Sequence, residues 1–373
     1  HRACHFGYPV MMRLTAVALA LLWGSGCATQ PDAESRTAGP QNEQSMENPW
    51  EGEVLRVANR PSAPALDVGV VLFDPGVDAK DDSPTAAVRR LESKLLAGQL
   101  RDALVASNQW GVVRMVPVTS TLMPVNIRSQ IIKSDGRDLV LQVNAIDAAG
   151  TVVFDHLIGH RETVAGEGFA DLFNAISNRL LQWWQPQEAR DRASLLSLAE
   201  VRYAQQLSPD AFLGLAEESD GKWELQRLPA DNDPMMRRVD RIRNQEYLFC
   251  DTVDEQYVAL WERAGGTYAL WRDAGREQAY WLDAYEARVR ARGDRSDDSR
   301  YARMQAEYAA YRSYRMQEQA WFELAKALDG ETQPSVIETA DRVVTLEGTL
   351  DVQYETWRRL LRDIFAAEQG LEK

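Results

Sequence analysis

Histidine and cysteine are scarce in this chain, at four and three among 373 residues. His1 and His5 precede the first methionine, which leaves His156 and His160 for the body. Cys4 lies in the same opening stretch and Cys27 ends an apolar run, so Cys250 stands alone and an internal disulfide in the body is excluded. Its neighbours Tyr247, Leu248 and Phe249 favour a small buried hydrophobe over a reactive thiol. Long apolar runs are missing too: Leu14–Trp23 would rise only about 15 Å as a helix, half a bilayer, and is too short for a permanent span. Positive charge is in deficit, with 42 Lys and Arg against 56 Asp and Glu and a net charge of −14. Arg2 and Arg13 are the only charged residues in 1–26, so without that stretch the charge falls to −16. Such a body repels nucleic acid and anionic lipid, so no nucleic-acid partner is expected, and any membrane attachment has to come from acyl chains. No glycine-rich phosphate loop is present, since Gly265-Gly266 and Pro75-Gly76 lack the required spacing and read as turns. A serine elbow and a cysteine–histidine arrangement are absent as well. No cofactor is expected.

What is present begins with Met11–Cys27. Arg13 supplies a charged start, Leu14–Trp23 an apolar stretch, and Gly24, Ser25 and Gly26 the small side chains a signal protease needs before Cys27. The pattern resembles the lipobox of diacylglyceryl-modified bacterial lipoproteins, with Gly24 where leucine is usual. The resemblance implies cleavage before Cys27 and lipid attachment to it. Residues 1–10 read as translation upstream of a start at Met11 or Met12. Ala28 is not the aspartate that retains such lipoproteins at the inner membrane, so the implied address is the outer membrane, facing the periplasm. Residues 27–50 are polar and rich in Gln, Asn, Pro, Ser and Thr, and read as a flexible tether.

Residues 51–186 read as an α+β domain. Leu66–Gly76 is an apolar strand ending in a Pro-Gly turn, and Ser83-Pro84 reads as N-cap and first turn of a helix. Val88, Leu91, Leu95, Leu96, Leu100, Ala103 and Leu104 line one face of that helix. Val112–Val118 and Asn126–Ile132 read as strands. Asp138–Asp147 and Thr151–Ile158 flank Ala148-Ala149-Gly150 as a hairpin, with Leu139, Leu141, Val143 and Ala145 on one face. A second helix carries Phe169, Leu172, Phe173, Ile176, Leu180 and Trp183 as its stripe. A small mixed sheet with both helices on one face satisfies these surfaces.

Three stretches of this region carry a resemblance. Val68-Gly-Val-Val-Leu-Phe-Asp-Pro-Gly, the helix Arg89–Asn108 followed by Trp110-Gly-Val-Val-Arg-Met-Val-Pro, and the hairpin Asp147-Ala-Ala-Gly-Thr-Val-Val-Phe-Asp are similar to the opening elements and return of TolB amino-terminal-type domains. That group includes lipoproteins of the curli-secretion, penicillin-binding-protein-activator and flagellar-accessory types. The likeness is one of pattern and involves no catalytic motif.

Residues 187–373 read as a mainly α-helical domain. Helices are expected at 187–207, after Ser208-Pro209-Asp210, from Asp233-Pro234 with Met235, Val239 and Ile242 inward, and over 252–292 with a break at Gly265-Gly266. A short strand is expected at Trp223–Leu228, and a long antiparallel pair of helices at 300–329 and 335–369.

Several groupings bear on chemistry. His156, His160 and Glu162 would share one face of a strand and could ligate zinc; the alternative is exposed edge-strand histidines. No metal site is expected. Adjacent carboxylates such as Glu217-Glu218 and Asp297-Asp298 read as solvated. Arg237, Arg238, Arg241 and Arg243 among Asp231, Asp233 and Asp240 read as pairs within one helix, against an anion site at the helix start. The surplus of the second half is aromatic, with Trp261, Trp271, Tyr280 and Trp281 followed by a stripe of Tyr301, Tyr308, Tyr311 and Tyr314 and by Trp321. Tyr308, Tyr311, Tyr314 and Trp321 are the candidate docking surface for a protein partner, with the seam of a helical bundle and a sugar-stacking platform as the other readings. The expectation is a non-enzymatic, lipid-anchored assembly or accessory factor that docks an envelope protein. An oligomeric secretion-channel subunit is the alternative, although no pair of ten-residue strands with a lipid face is evident, and a peptidoglycan-active enzyme comes third.

Overall fold

The computed structural model describes residues 53–162, 168–292, 335–338 and 343–368. Cys27, the tether and the stripe Tyr308, Tyr311, Tyr314 and Trp321 lie outside the described residues.

The architecture is α+β, built on a five-stranded mixed sheet of order β2-β1-β3-β4-β5. The strands are β1 (Val68–Val71), β2 (Val113–Val116), β3 (Val125–Ser134), β4 (Asp138–Asp147) and β5 (Val152–Arg161). β1 pairs in parallel with β2 and β3, and β3, β4 and β5 form an antiparallel meander. Leu139, Leu141, Val143 and Ala145 are fully buried on the face that carries the helices, as their alternation requires. Helix α1 (Pro84–Ser107) starts where Ser83 accepts a hydrogen bond from the Ala86 amide, and it ends on Asn108 in the left-handed region. Leu95, Leu96, Leu100 and Leu104 turn inward. Helix α2 (Ala170–Trp184) packs beside α1 and against β5, and its stripe ends on the fully buried Trp184, with Trp183 only half-buried.

The link from β2 to β3 is only residues 117–124, and it crosses the other face of β1. Gly69 permits that crossing, because a Cβ there would stand 2.9 Å from Met123 Cγ. The β4–β5 turn is held by Asp147, whose Oδ1 accepts the Thr151 amide at 2.7 Å, and by Gly150 at φ +72°. The three ten-residue strands β3 to β5 do exist, but their outer face carries Arg128, Gln130, Gln142, Asn144 and Asp155, which is a polar face.

The second half follows the expected helices in part. Helix α3 (Ala189–Leu207) is succeeded by turns over 208–215, where a helix was expected, and then by a hairpin of β6 (Ala216–Ser219) and β7 (Lys222–Leu225). Asp220 and Gly221, both at positive φ, make its turn. Helix α4 (Pro234–Arg292) runs 59 residues, about 88 Å, straight through Gly265-Gly266. The expected break fails because both flanks are anchored by packing: Tyr257, Ala264 and Tyr268 are buried, and the Trp261 indole covers Gly265 at about 3.1 Å from where a Cβ would sit. Tertiary contact outweighs the roughly 1 kcal/mol per glycine that helix propensity costs.

A second correction concerns residues 335–338 and 343–346, expected as helix and found as the antiparallel strands β8 (Ser335–Glu338) and β9 (Val343–Leu346). Val336, Ile337, Val343, Val344 and Thr345 are β-branched, and Ile337 and Leu346 are buried. Helix α5 (Leu350–Glu368) completes the body, with Tyr354, Trp357, Leu361 and Phe365 fully buried against α4. Three of the arginines near the start of α4 pair with other elements, where pairs within the helix were expected. Arg238 and Arg241 meet Glu368 at the end of α5, while Arg243 reaches the Leu122 carbonyl and Glu200.

One hydrophobic core draws on both halves of the sequence, from Leu66 to Phe365. All of the described residues fall within one compact unit. Among the described residues no helix is long and apolar enough to cross a membrane.

Candidate functional site

The site is best built from its floor. Burial alone raises the Glu92 carboxyl on α1 above its ordinary range, against the opposing pull of Arg89 at 3.7 Å. Its Oε1 accepts the hydroxyls of Ser134 at 2.6 Å and Tyr268 at 3.0 Å. Tyr268 brings α4 onto this floor, and its ring stacks on Trp271 at 5.9 Å. One helical turn further, Arg272 and Arg276 converge on Glu162, at the end of β5. Arg272 Nη2 bonds Glu162 Oε2, and Arg276 Nη1 lies 3.3 Å from Oε1. All three side chains are buried, and the Arg272 guanidinium rests 3.7 Å from the centre of the Phe169 ring. Gly275 lets α4 approach the β3–β4 turn, since a Cβ there would fall 2.7 Å from the Asp135 carbonyl oxygen.

Above this floor opens a cavity of ≈ 370 Å³ between α1, α2 and α4. Phe169, Phe173 and Tyr268 form its apolar wall, Arg272 and Glu162 its polar end, and Trp261, 39% exposed, its mouth. Both Glu162 oxygens are engaged by arginine, so this carboxylate is a clamp between β5 and α4. The cavity presents aromatic surface that an apolar side chain can enter, with charge confined to one end. Val258, 48% exposed, lies on the same side of α4 as Trp261 and Gly265.

A second cavity of ≈ 260 Å³ lies on the opposite face of the sheet, between Ser120, Asn126, Asp147, Arg202 and Trp223. Arg202 bonds the Ala148 carbonyl and stacks 4.5 Å over Trp223, which fastens the β6–β7 hairpin to the β4–β5 turn.

The histidines considered as zinc ligands do not converge. His156 stacks on Phe154 at 6.0 Å, and His160, buried and not exposed as a free edge residue would be, meets the Phe169 ring edge-on at 5.9 Å. Among the described residues no group of three or more His, Cys, Asp or Glu is placed to hold a metal ion. Glu217 and Glu218 are exposed on β6. Cys250 is fully buried, and burial pushes its thiol well above the ordinary value, with Glu246 adding to the rise. Of the aromatic surplus, Trp261 lines the cavity, while Trp271 and Tyr280 lie beside it through Tyr268 and the Glu162 carbonyl. Local pattern does not bring Arg272 and Arg276 together with Glu162, because 110 residues separate Arg272 from Glu162. Comparison of the chain with protein-family models, with curated proteins and with solved structures found no match.

Proposed function

We propose that this chain is a non-enzymatic assembly or accessory factor, held by lipid at Cys27 to the periplasmic face of the outer membrane, and that it docks an envelope protein partner. The single observation that carries the docking reading is the aromatic cavity with Trp261 at its mouth, over a floor already closed by the Glu162–Arg272–Arg276 clamp. A large aromatic side chain left 39% exposed beside a buried apolar wall is the usual composition of a binding hot spot. The address rests on Arg13, the apolar run Leu14–Trp23 and the small residues before Cys27. The TolB amino-terminal-type pattern over 66–186 supports the same compartment. Confinement by acyl chains to two dimensions raises the effective concentration of such a body near membrane-bound partners, so a modest cavity is enough. Tyr308, Tyr311, Tyr314 and Trp321 remain part of the proposed docking surface.

Two measurements test this. Intact mass of the protein extracted from its native membrane is expected to show Cys27 as an acylated first residue; an uncut leader overturns the address. A photo-crosslinker at position 269, on the cavity lining and exposed, is expected to trap one discrete envelope protein, and Trp261→Ala is expected to weaken that trapping at least tenfold while thermal melting stays within about 2 °C. Equal trapping by Trp261→Ala overturns the cavity as the docking site.

A further inference from the structure

The two edges of the sheet are treated differently. The β2 edge is short, four residues, and α4 closes it: the Met115 amide donates to Asp254 Oδ1 at 3.0 Å and Arg114 Nε to Asp251 Oδ1 at 2.7 Å. The β5 edge is ten residues long, and no strand pairs with its outer side among the described residues. Its sequence, Val-Val-Phe-Asp-His-Leu-Ile-Gly-His-Arg, contains neither lysine nor proline, and the irregularity in its pairing with β4 falls at Val152–Phe154, which leaves 155–161 as a regular open edge. A long edge without such protection is a template for strand addition.

We infer that β5 is a self-association surface, on which a second copy of this chain adds its own β5 antiparallel about a two-fold axis. Charge selects the register. Residues 155, 157, 159 and 161 share the outer face, since the core-facing Leu139, Leu141 and Val143 pair with His160, Ile158 and His156. Placing the axis at Ile158 sets Asp155 of each copy opposite Arg161 of the other, His156 opposite His160, and Leu157 opposite Gly159. Asp155 is exposed, and the Arg161 side chain stays 41% exposed while bonded to Asp138 at 2.7 Å. The contact therefore gains two opposite-charge pairs on the outer face. It is isologous and closed, and joins the two sheets into one of ten strands. This surface is separate from the α4 cavity, so each stands without the other.

The test uses the full-length protein in detergent. Sedimentation is expected to give a dimer whose dissociation constant rises at least tenfold in Asp155→Lys, which puts a cation opposite Arg161. Hydrogen exchange at β5 amides is expected to be slow at high protein concentration and to speed at least tenfold on dilution, while β4 amides hold. Because it needs no mutation, the exchange experiment decides the matter even if Asp155→Lys folds poorly. A monomer at every concentration, or β5 exchange independent of concentration, overturns the inference.

Discussion

The Met115 amide of β2 donates to Asp254 of α4 across 139 residues of sequence, at 3.0 Å, so a helix carboxylate closes the sheet edge. Burial pushes the Asp254 carboxyl up to about 6, and the Asp251 charge adds to the rise, against the lowering by the Met115 amide, Arg101 and Arg114. The folded chain therefore holds a proton on Asp254 at pH values where the unfolded chain, near 3.8, has lost it. Stability contributed by this group is present below about pH 4 and declines as pH rises to about 6, by at most about 3 kcal/mol. Asp254→Asn keeps an oxygen acceptor for Met115 and cannot ionise. Urea unfolding across pH 4–7 is expected to show the wild-type decline reduced in this variant; parallel curves would remove Asp254 as its source.

Glu246 gathers three helices. It accepts the Tyr203 hydroxyl of α3 at 2.7 Å and the Tyr354 hydroxyl of α5 at 2.6 Å, and Ser120 lies 2.9 Å behind Tyr354. Burial, with the Glu246 charge second, holds both phenols well above their usual range, so they stay donors. Tyr354→Phe preserves the ring against Phe249 but leaves a buried carboxylate oxygen short of a donor. A loss of about 1–3 kcal/mol in chemical denaturation is expected. A loss below about 0.5 kcal/mol would mean that Arg358, 3.5 Å away, satisfies Oε1 by itself.

Gly98 of α1 lies under the Tyr257 ring of α4, with ring atoms 2.0–2.3 Å from where a Cβ would stand. Alanine is the better helix former by roughly 1 kcal/mol, so propensity alone predicts that Gly98→Ala stabilises. Overpacking predicts the reverse, at about 1–3 kcal/mol, and is expected to prevail because Tyr257 is itself buried and bonded to Asp102. The sign of the change in melting temperature decides between them.

Cys250 offers a chemical probe of the same packing. Its thiol is fully buried and raised well above the ordinary value by burial. An Ellman-type disulfide reagent is expected to leave it unlabelled in the native body and to label it fully in denaturant. Rapid native labelling would show that α4 opens from α5 on the experimental timescale.

Local pattern determined much of this molecule. The serine cap and apolar face of α1, the alternation Leu139-Leu141-Val143-Ala145, the Asp147–Gly150 turn and the burial of Cys250 each follow from neighbours within a few residues, whose geometry is set by backbone sterics and by the partition of side chains between water and core. Other features were decided only by the assembled fold. Gly265-Gly266 stays helical because Tyr257 and Tyr268 on either side are held by Asp102 and Glu92 of α1, and residues 335–338 become a strand because Val343–Leu346 lie beside them. Glu162 becomes a clamp only when α4 carries Arg272 and Arg276 to the end of β5. Periodicity reports which face of a segment avoids water, but not which surface will cover it. That choice belongs to contacts between residues far apart in the chain.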